Sequence, residues 1–429
     1  MVQRLILLVV IGLLGWQAVT MGVAQMRSER LAAIYLGSSI PWTDAIDSIP
    51  PNASINLTSD AWVSLADQAL TQDNLNHAEA YLWRAIQRNI SSGGAVARLL
   101  NIRNTQGKIQ EVDNIAVLSI RLWPVHEDTL LRASAHWLKK GDIAQLLPLL
   151  DKLLTQTPAY NAGLFPALHT LAQTEETAPF IKQYAHQAPA WWPAFFNYLT
   201  LNETNLSVVE AYYQARQQAT KPLLKSEQMP YINRLLQAQE WQQARKIWLT
   251  TLAPTEQALA HAMLYDGGFE GSVHNEGFAW HFNPTTGVAI DTKLTGGING
   301  KRALHIAFKQ QKTPIHFQQV SQRLVLPTGD YSLSLRYRLD GLNTRKGLQW
   351  RVRCDAGATD LLGESITLKG SGSWQTLAFE FSVPDTSDTA KQGCTAQLLR
   401  LEAASQYAHD HLFEGGLWFD DIAIKAVEP

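Results

Sequence analysis

A chain of 429 residues, 46% apolar and only 17% charged, is too long for one ordinary core and too apolar for disorder, so two or three globular domains are expected. The formal net charge of −2, with no Lys/Arg run, gives neither a global nor a local reason to expect nucleic acid.

Residues Leu5 to Ala24 (LILLVVIGLLGWQAVTMGVA) follow Arg4 and end at polar Gln25, Arg27, Glu29 and Arg30. About 20 apolar residues at ~1.5 Å each just span a bilayer, which reads as an uncleaved anchor. The alternative is a cleaved signal peptide: the most apolar part is the short stretch Leu5 to Leu14, and Gly22 and Ala24 resemble positions −3 and −1 of a cleavage site. Either way residues 1–26 export the rest. The bulk is expected in the periplasm, held to the inner membrane through residues 5–24, or else secreted. Residues 27–58 read as a linker.

From 59 to 262 the pattern is helical and repeats. Polar turns precede second helices opening at Leu75 (TQDNLNHAEAYLWRAI), Ile109, Ile143 and Thr177, each 34 residues after the last, and less regularly at Leu206 and Trp241. The period and the first unit, with Trp62, Leu65, Ala66, Ala78, Tyr81 and Ala85, resemble the tetratricopeptide repeat. The resemblance implies an α-solenoid whose stacked hairpins offer a concave surface to a protein partner. Trp191, Trp192, Phe195, Phe196 and Tyr198 read either as inter-helix packing or as a binding patch.

After 262 glycines pair (Gly267-Gly268, Gly296-Gly297, Gly415-Gly416) and apolar residues alternate with polar ones. In Tyr331 to Leu339, residues Tyr331, Leu333, Leu335, Tyr337 and Leu339 share one face. Some nine short runs of this kind predict an antiparallel β-sandwich or jelly roll over 263–429, making the whole chain multidomain α plus β. The two cysteines, Cys354 and Cys394, each lie beside a predicted strand. One structural disulfide is expected, with two free buried thiols as the alternative.

The segments YDGGFEG, GINGKRALHIAF, LPTGDYSLSLRYR, SWQTLAFEFSVP and GLWFDDIAI, together with Trp280, resemble the galactose-binding-like jelly rolls of carbohydrate-binding modules. The resemblance implies a non-catalytic module that holds a polysaccharide on a sheet face. It also implies a structural calcium ion, with carboxylates from Glu270 and Asp421. A helical-repeat region joined to such a module is similar to accessory proteins of bacterial exopolysaccharide assembly, which implies a scaffold.

No G-x-S-x-G, P-loop, G-x-G-x-x-G or H-E-x-x-H motif occurs. His409-Asp410-His411 reads as a solvated turn or as a metal-binding cluster. Glu364, Asp355, Asp360 and Glu380 leave a glycoside hydrolase open as the alternative function. A purely structural adaptor for a membrane-protein complex is the third reading.

The ligand face follows from alternation. Outward Ser334, Arg336 and Arg338 on one strand, and Gln349, Arg351 and Arg353 on the next, would gather four arginines on one face if the two strands pair. Glu364, Glu380 or Glu402 would then compensate them, or an acidic polysaccharide would. Trp280 or His281 could add a stacking surface, although Trp280 alternates with Phe278 and Phe282 as a core residue does.

Overall fold

The structure, a computed structural model, describes residues 57–106, 109–260, 263–294, 296–309, 313–355, 361–385 and 394–427. The expected anchor at 5–24 lies outside the described residues, as do nearly all of the expected linker and Asp360. Among the described residues no helix is long and apolar enough to cross a membrane.

Helices come first. α1 (Ser59–Thr71) and α2 (Leu75–Arg88) form one hairpin, followed by α3 (Gly93–Thr105), α4 (Ile109–Leu122), α5 (Glu127–Lys140), α6 (Ile143–Gln156), α7 (Asn161–Gln173) and α8 (Ala178–Gln187). The first helices of successive hairpins start at Ser59, Gly93, Glu127 and Asn161, so the 34-residue period is realised in the backbone. The turns have local causes. Asn74 and Asp142 accept backbone N–H bonds from His77 and Gln145 and so open α2 and α6. Gly141 ends α5 in the left-handed conformation (φ 75°).

By contact density the chain divides inside the helical region. Of the described residues, those up to 184 together with 189–191 form one compact unit, and 185–188 with those from 192 onward form the other. In the first unit Trp62 stacks on Tyr81 (5.7 Å), while fully buried Ala66, Ala78 and Ala85 let α1 and α2 approach closely. Arg98 on α3 joins Asp67 on α1 (2.5 Å) and Asp128 on α5 (3.1 Å), about one repeat away in each direction.

The second unit opens with α9 (Trp192–Asn202), α10 (Leu206–Gln217), α11 (Lys225–Gln237), α12 (Trp241–Thr251) and the short α13 (Pro254–Gln257). Trp192, Phe195 and Phe196 are buried with Tyr212, Tyr213 and Tyr231, so these aromatics pack helices together. Trp248 of α12 is buried against Tyr265 (5.1 Å) and Phe278 (5.8 Å), residues that lead into the sandwich. Gly277 has φ +57°, and a Cβ there would sit 2.4 Å from the Trp248 ring; position 277 admits only glycine without rearrangement.

Ten strands follow: β1 (His281–Phe282), β2 (Val288–Leu294), β3 (Arg302–Phe308), β4 (Val320–Leu324), β5 (Gly329–Asn343), β6 (Leu348–Cys354), β7 (Leu361–Glu364), β8 (Gly370–Val383), β9 (Gln397–Ala403) and β10 (Glu414–Ala426). They form two five-stranded antiparallel sheets. Sheet A runs β1-β4-β9-β6-β7 and sheet B runs β2-β3-β10-β5-β8. Between them Trp350 meets Trp280 (5.9 Å) and Phe419 (5.2 Å) edge to face. Cys354 and Cys394 are disulfide-bonded, with Cα atoms 5.4 Å apart. At one side β7 approaches β8 so closely that a Cβ on Gly363 would lie 2.8 Å from the Glu380 carbonyl.

The expected pairing of the 331–339 strand with the 348–354 strand is not found. β5 lies in sheet B between β10 and β8, and β6 in sheet A between β9 and β7. Alternation fixes which side of a strand is buried; it does not fix its neighbour. Tyr331, Leu333 and Leu335 face Trp350 and Val352 across the core, and the turn before Gly347 (φ +84°) carries the chain between the sheets.

Candidate functional site

With β5 and β6 in different sheets, the four arginines occupy two outer faces. On sheet A, Glu402 of β9 is the centre of a closed lattice. It accepts from Arg351 (3.2 Å), Arg353 (3.0 Å) and Arg400 (2.7 Å), and Arg351 also reaches Glu364 (3.0 Å) and Gln349 (3.0 Å). Burial raises the Glu402 carboxyl, but the bonds from Arg353 and Arg400 outweigh it and hold the group below its ordinary value. Arg323 is likewise paired with Asp355. Arg351 and Arg353 are thus occupied within the sheet by carboxylates that the sequence offers as compensation, and Gln349 by Arg351 and the Ser365 carbonyl.

Trp280 is 3% exposed and donates its indole N–H to the Asp266 carbonyl (3.0 Å), so it belongs to the core and offers no stacking surface. His281 is half-buried, with Nε2 3.2 Å from the Gly277 carbonyl, and burial lowers its pKa. Glu270 and Asp421 lie where the first segment of the sandwich meets its last strand. Glu270 accepts from the backbone of Lys301 (2.6 Å) and Arg302 (2.8 Å), and Asp421 accepts from the Asn299 side chain. Asp266 accepts from Glu270 and Gly271, and Asp420 from Ile298 and Asp421. Most of these carboxylate oxygens are turned to N–H donors. Among the described residues no group of three His, Cys, Asp or Glu is arranged to hold a metal ion. At 409–411, Asp410 is buried on Ser405 (2.7 Å) and His411 Nε2 lies 2.6 Å from the Ser405 carbonyl, closing a turn.

Sheet B is different. Its outward positions bring Asp291 of β2, His305 of β3, Trp418 of β10 and Arg338 of β5 into one row, each the register partner of the next. The flat groups stack. His305 and Trp418 have ring centroids 4.1 Å apart, and the Arg338 guanidinium lies 4.6 Å from Trp418 and 5.8 Å from Trp374 of β8. Asp340, two residues further on, clamps the row: it accepts from Arg338 Nε (3.2 Å) and Nη2 (2.9 Å), and from the Trp418 indole N–H (2.6 Å). The Arg338 bond is the main cause that holds the Asp340 carboxyl below its ordinary value. Burial lowers the His305 pKa, and its Nδ1 lies 3.7 Å from Asp291, beyond hydrogen-bonding reach. Trp374 is half-buried and, among the described residues, its ring touches no cation or ring other than Arg338. Below the row the next outward residues are small, Ser334 on β5, Thr376 and Ala378 on β8 and Ala423 on β10, and beyond them Ser332 lies between Lys425 and Glu380. They form a shallow furrow with Arg336 in it.

Solved structures to which parts of this chain are similar include three. The CBM22-1 xylan-binding domain of Paenibacillus barcinonensis Xyn10C is 16% identical, with 38% of this chain and 93% of that one covered and a TM-score of 0.26. TmCBM61 in complex with β-1,4-galactotriose is 16% identical, with coverage of 38% and 97% and a TM-score of 0.25. Pseudomonas aeruginosa PilF is 15% identical, with coverage of 48% and 93% and a TM-score of 0.26. No family model matches the chain, and no curated protein does. Scores this low leave the function to the chain's own residues.

Arg336 and Arg338 are legible from strand alternation, whereas Asp291, His305, Asp340, Trp374 and Trp418 are not. One signal was present. In Leu417-Trp418-Phe419 the apolar neighbours face the core, so the tryptophan between them faces out.

Proposed function

We propose that the chain is an exported, non-catalytic scaffold that holds a glycan on the outer face of sheet B. The observation that supports this best is the row His305, Trp418, Arg338 and Trp374, clamped by Asp340. Its flat groups are ordered before any ligand arrives, so binding loses little side-chain entropy. Trp374 at the end of the row suits the C–H face of a sugar ring, while Asp291, His305, Arg338 and Asp340 suit its hydroxyls.

A non-catalytic role is supported by where the described candidate carboxylates lie. Glu364 and Asp355 are each held by an arginine on sheet A, and Glu380 stands on sheet B. In the helical repeats a cleft of about 540 Å³ is lined by Leu70, Leu75, Arg98, Asn101, Ile102 and Arg132, and it is the seat proposed for a protein partner. The disulfide suits an oxidising compartment, in keeping with a periplasmic bulk tethered to the inner membrane through residues 5–24. Exopolysaccharide assembly is the setting that such a pairing of domains suits.

Affinity electrophoresis of the full chain through gels containing soluble neutral and acidic polysaccharides tests the glycan reading. Retardation by at least one is expected, weakened about tenfold by Trp374→Ala. Unretarded migration in all of them would sink it, and release of reducing sugar would sink the non-catalytic part.

A further inference from the structure

Arg338 and Arg336 project from the same face of β5, two residues apart, yet only one has a counter-charge. Arg338 is held by Asp340. Arg336 stands opposite Asp420 and Thr376, and both Asp420 oxygens are turned to the N–H groups of Ile298 and Asp421. The Arg336 Nε is buried without a hydrogen-bond partner, and among the described residues the guanidinium makes no hydrogen bond or ion pair. The contrast with sheet A, where three arginines share Glu402, is plain. A partly buried guanidinium without a partner is unfavourable unless something anionic arrives to satisfy it.

The surroundings say what could arrive. Ser334, Thr376, Ala378 and Ala423 leave the furrow open beside Arg336, as far as Ser332 between Lys425 and Glu380, so a polar chain can lie in it next to the guanidinium. Outward positions two apart on a strand are separated by about 7 Å, which is comparable to the reach across one hexose ring and its exocyclic group. The planar guanidinium fork matches a carboxylate in bidentate fashion.

We propose that the glycan held on sheet B bears carboxylates, as a uronate or a pyruvyl ketal does, and that Arg336 reads them. This rests on the reading of sheet B as the glycan face. Arg336 then sets which glycan is chosen, and the aromatic row supplies affinity shared by acidic and neutral sugars.

The test is calorimetric titration of the full chain with polygalacturonate, with the same polymer after reduction of its carboxyl groups to alcohols, and with a pyruvylated neutral galactan. The carboxylate forms are expected to bind more tightly than the reduced polymer, with affinity falling as salt rises. Arg336→Gln should lower carboxylate affinity about tenfold to a hundredfold while leaving the reduced polymer and the melting temperature unchanged. Arg336→Lys, which keeps the charge but not the fork, should fall between, and it serves if the Gln variant folds poorly. The two carboxylate polymers distinguish uronate from pyruvyl ketal. Equal wild-type affinity for acidic and reduced forms, or unchanged carboxylate affinity in both variants, overturns the role of Arg336 and leaves the sheet B reading standing. Binding of none of the three by the wild type overturns both.

Discussion

Trp248→Ala would show whether the last helices and the sandwich fold as one cooperative unit. Trp248 is 3% exposed and wedged between Tyr265 and Phe278, with Gly277 against its indole ring. Truncating a buried aromatic of this size typically costs about 3–5 kcal/mol, and each lost aromatic pair accounts for roughly 0.5–1.5 kcal/mol of that. For a unit of this length the expected fall in melting temperature is about 6–20 °C. Calorimetry of the full chain, with far-UV and near-UV circular dichroism on the same sample, should show the helical signal of α9–α13 and the tryptophan signal of the sandwich moving together. Trp83→Ala, at a 47% exposed position on α2, is the control and should change stability by less than about 0.5 kcal/mol. A near-UV transition that stays in place while the helical one drops would refute the reasoning, because it would make the sandwich an independent folding unit.

Replacing both Cys354 and Cys394 by alanine should destabilise the sandwich by about 4 kcal/mol in the chain-entropy model, since the bridge spans 40 residues; urea unfolding under non-reducing conditions measures it. Calcium titration followed by melting temperature should produce a shift below about 1 °C, because Glu270 and Asp421 are engaged with N–H donors, and a rise of several degrees would place an ion between them. Burial raises the Asp420 carboxyl above its ordinary value, so its stabilising contribution is full below about pH 4 and is lost as pH rises through the raised value. Asp420→Asn should therefore cost less stability at pH 7 than at pH 4 in paired urea titrations, and the opposite order would show that the carboxylate, not the acid, is the favoured form in the fold.

The helical half was legible because its signals are local. Second helices expected at Leu75, Ile109, Ile143, Leu206 and Trp241 begin at those residues, and the one expected at Thr177 begins at Ala178, since short polar turns and side-chain caps fix helix starts. In the sandwich, the inward set of β5 and the cysteine pair were readable from alternation. Strand order was not, because it depends on which strands meet across as much as about a hundred residues of chain. That one ambiguity misplaced the proposed ligand face. Arg351 and Arg353 went to the lattice around Glu402, while Arg336 and Arg338 kept their place but gained His305 and Trp418 from strands that the pattern alone could not bring alongside.

The close approach of β7 and β8 at Gly363 bears on how the protein behaves when crowded. A sandwich has four outer strands whose unpaired backbone can template growth with another copy. Here β1 is two residues long, β7 is four, and β8 is shielded where β7 draws up to it. The remaining edge, β2, carries Asp291 and Lys293, charges that discourage a second copy from aligning. The sandwich is therefore guarded against edge-to-edge aggregation on each of its open sides.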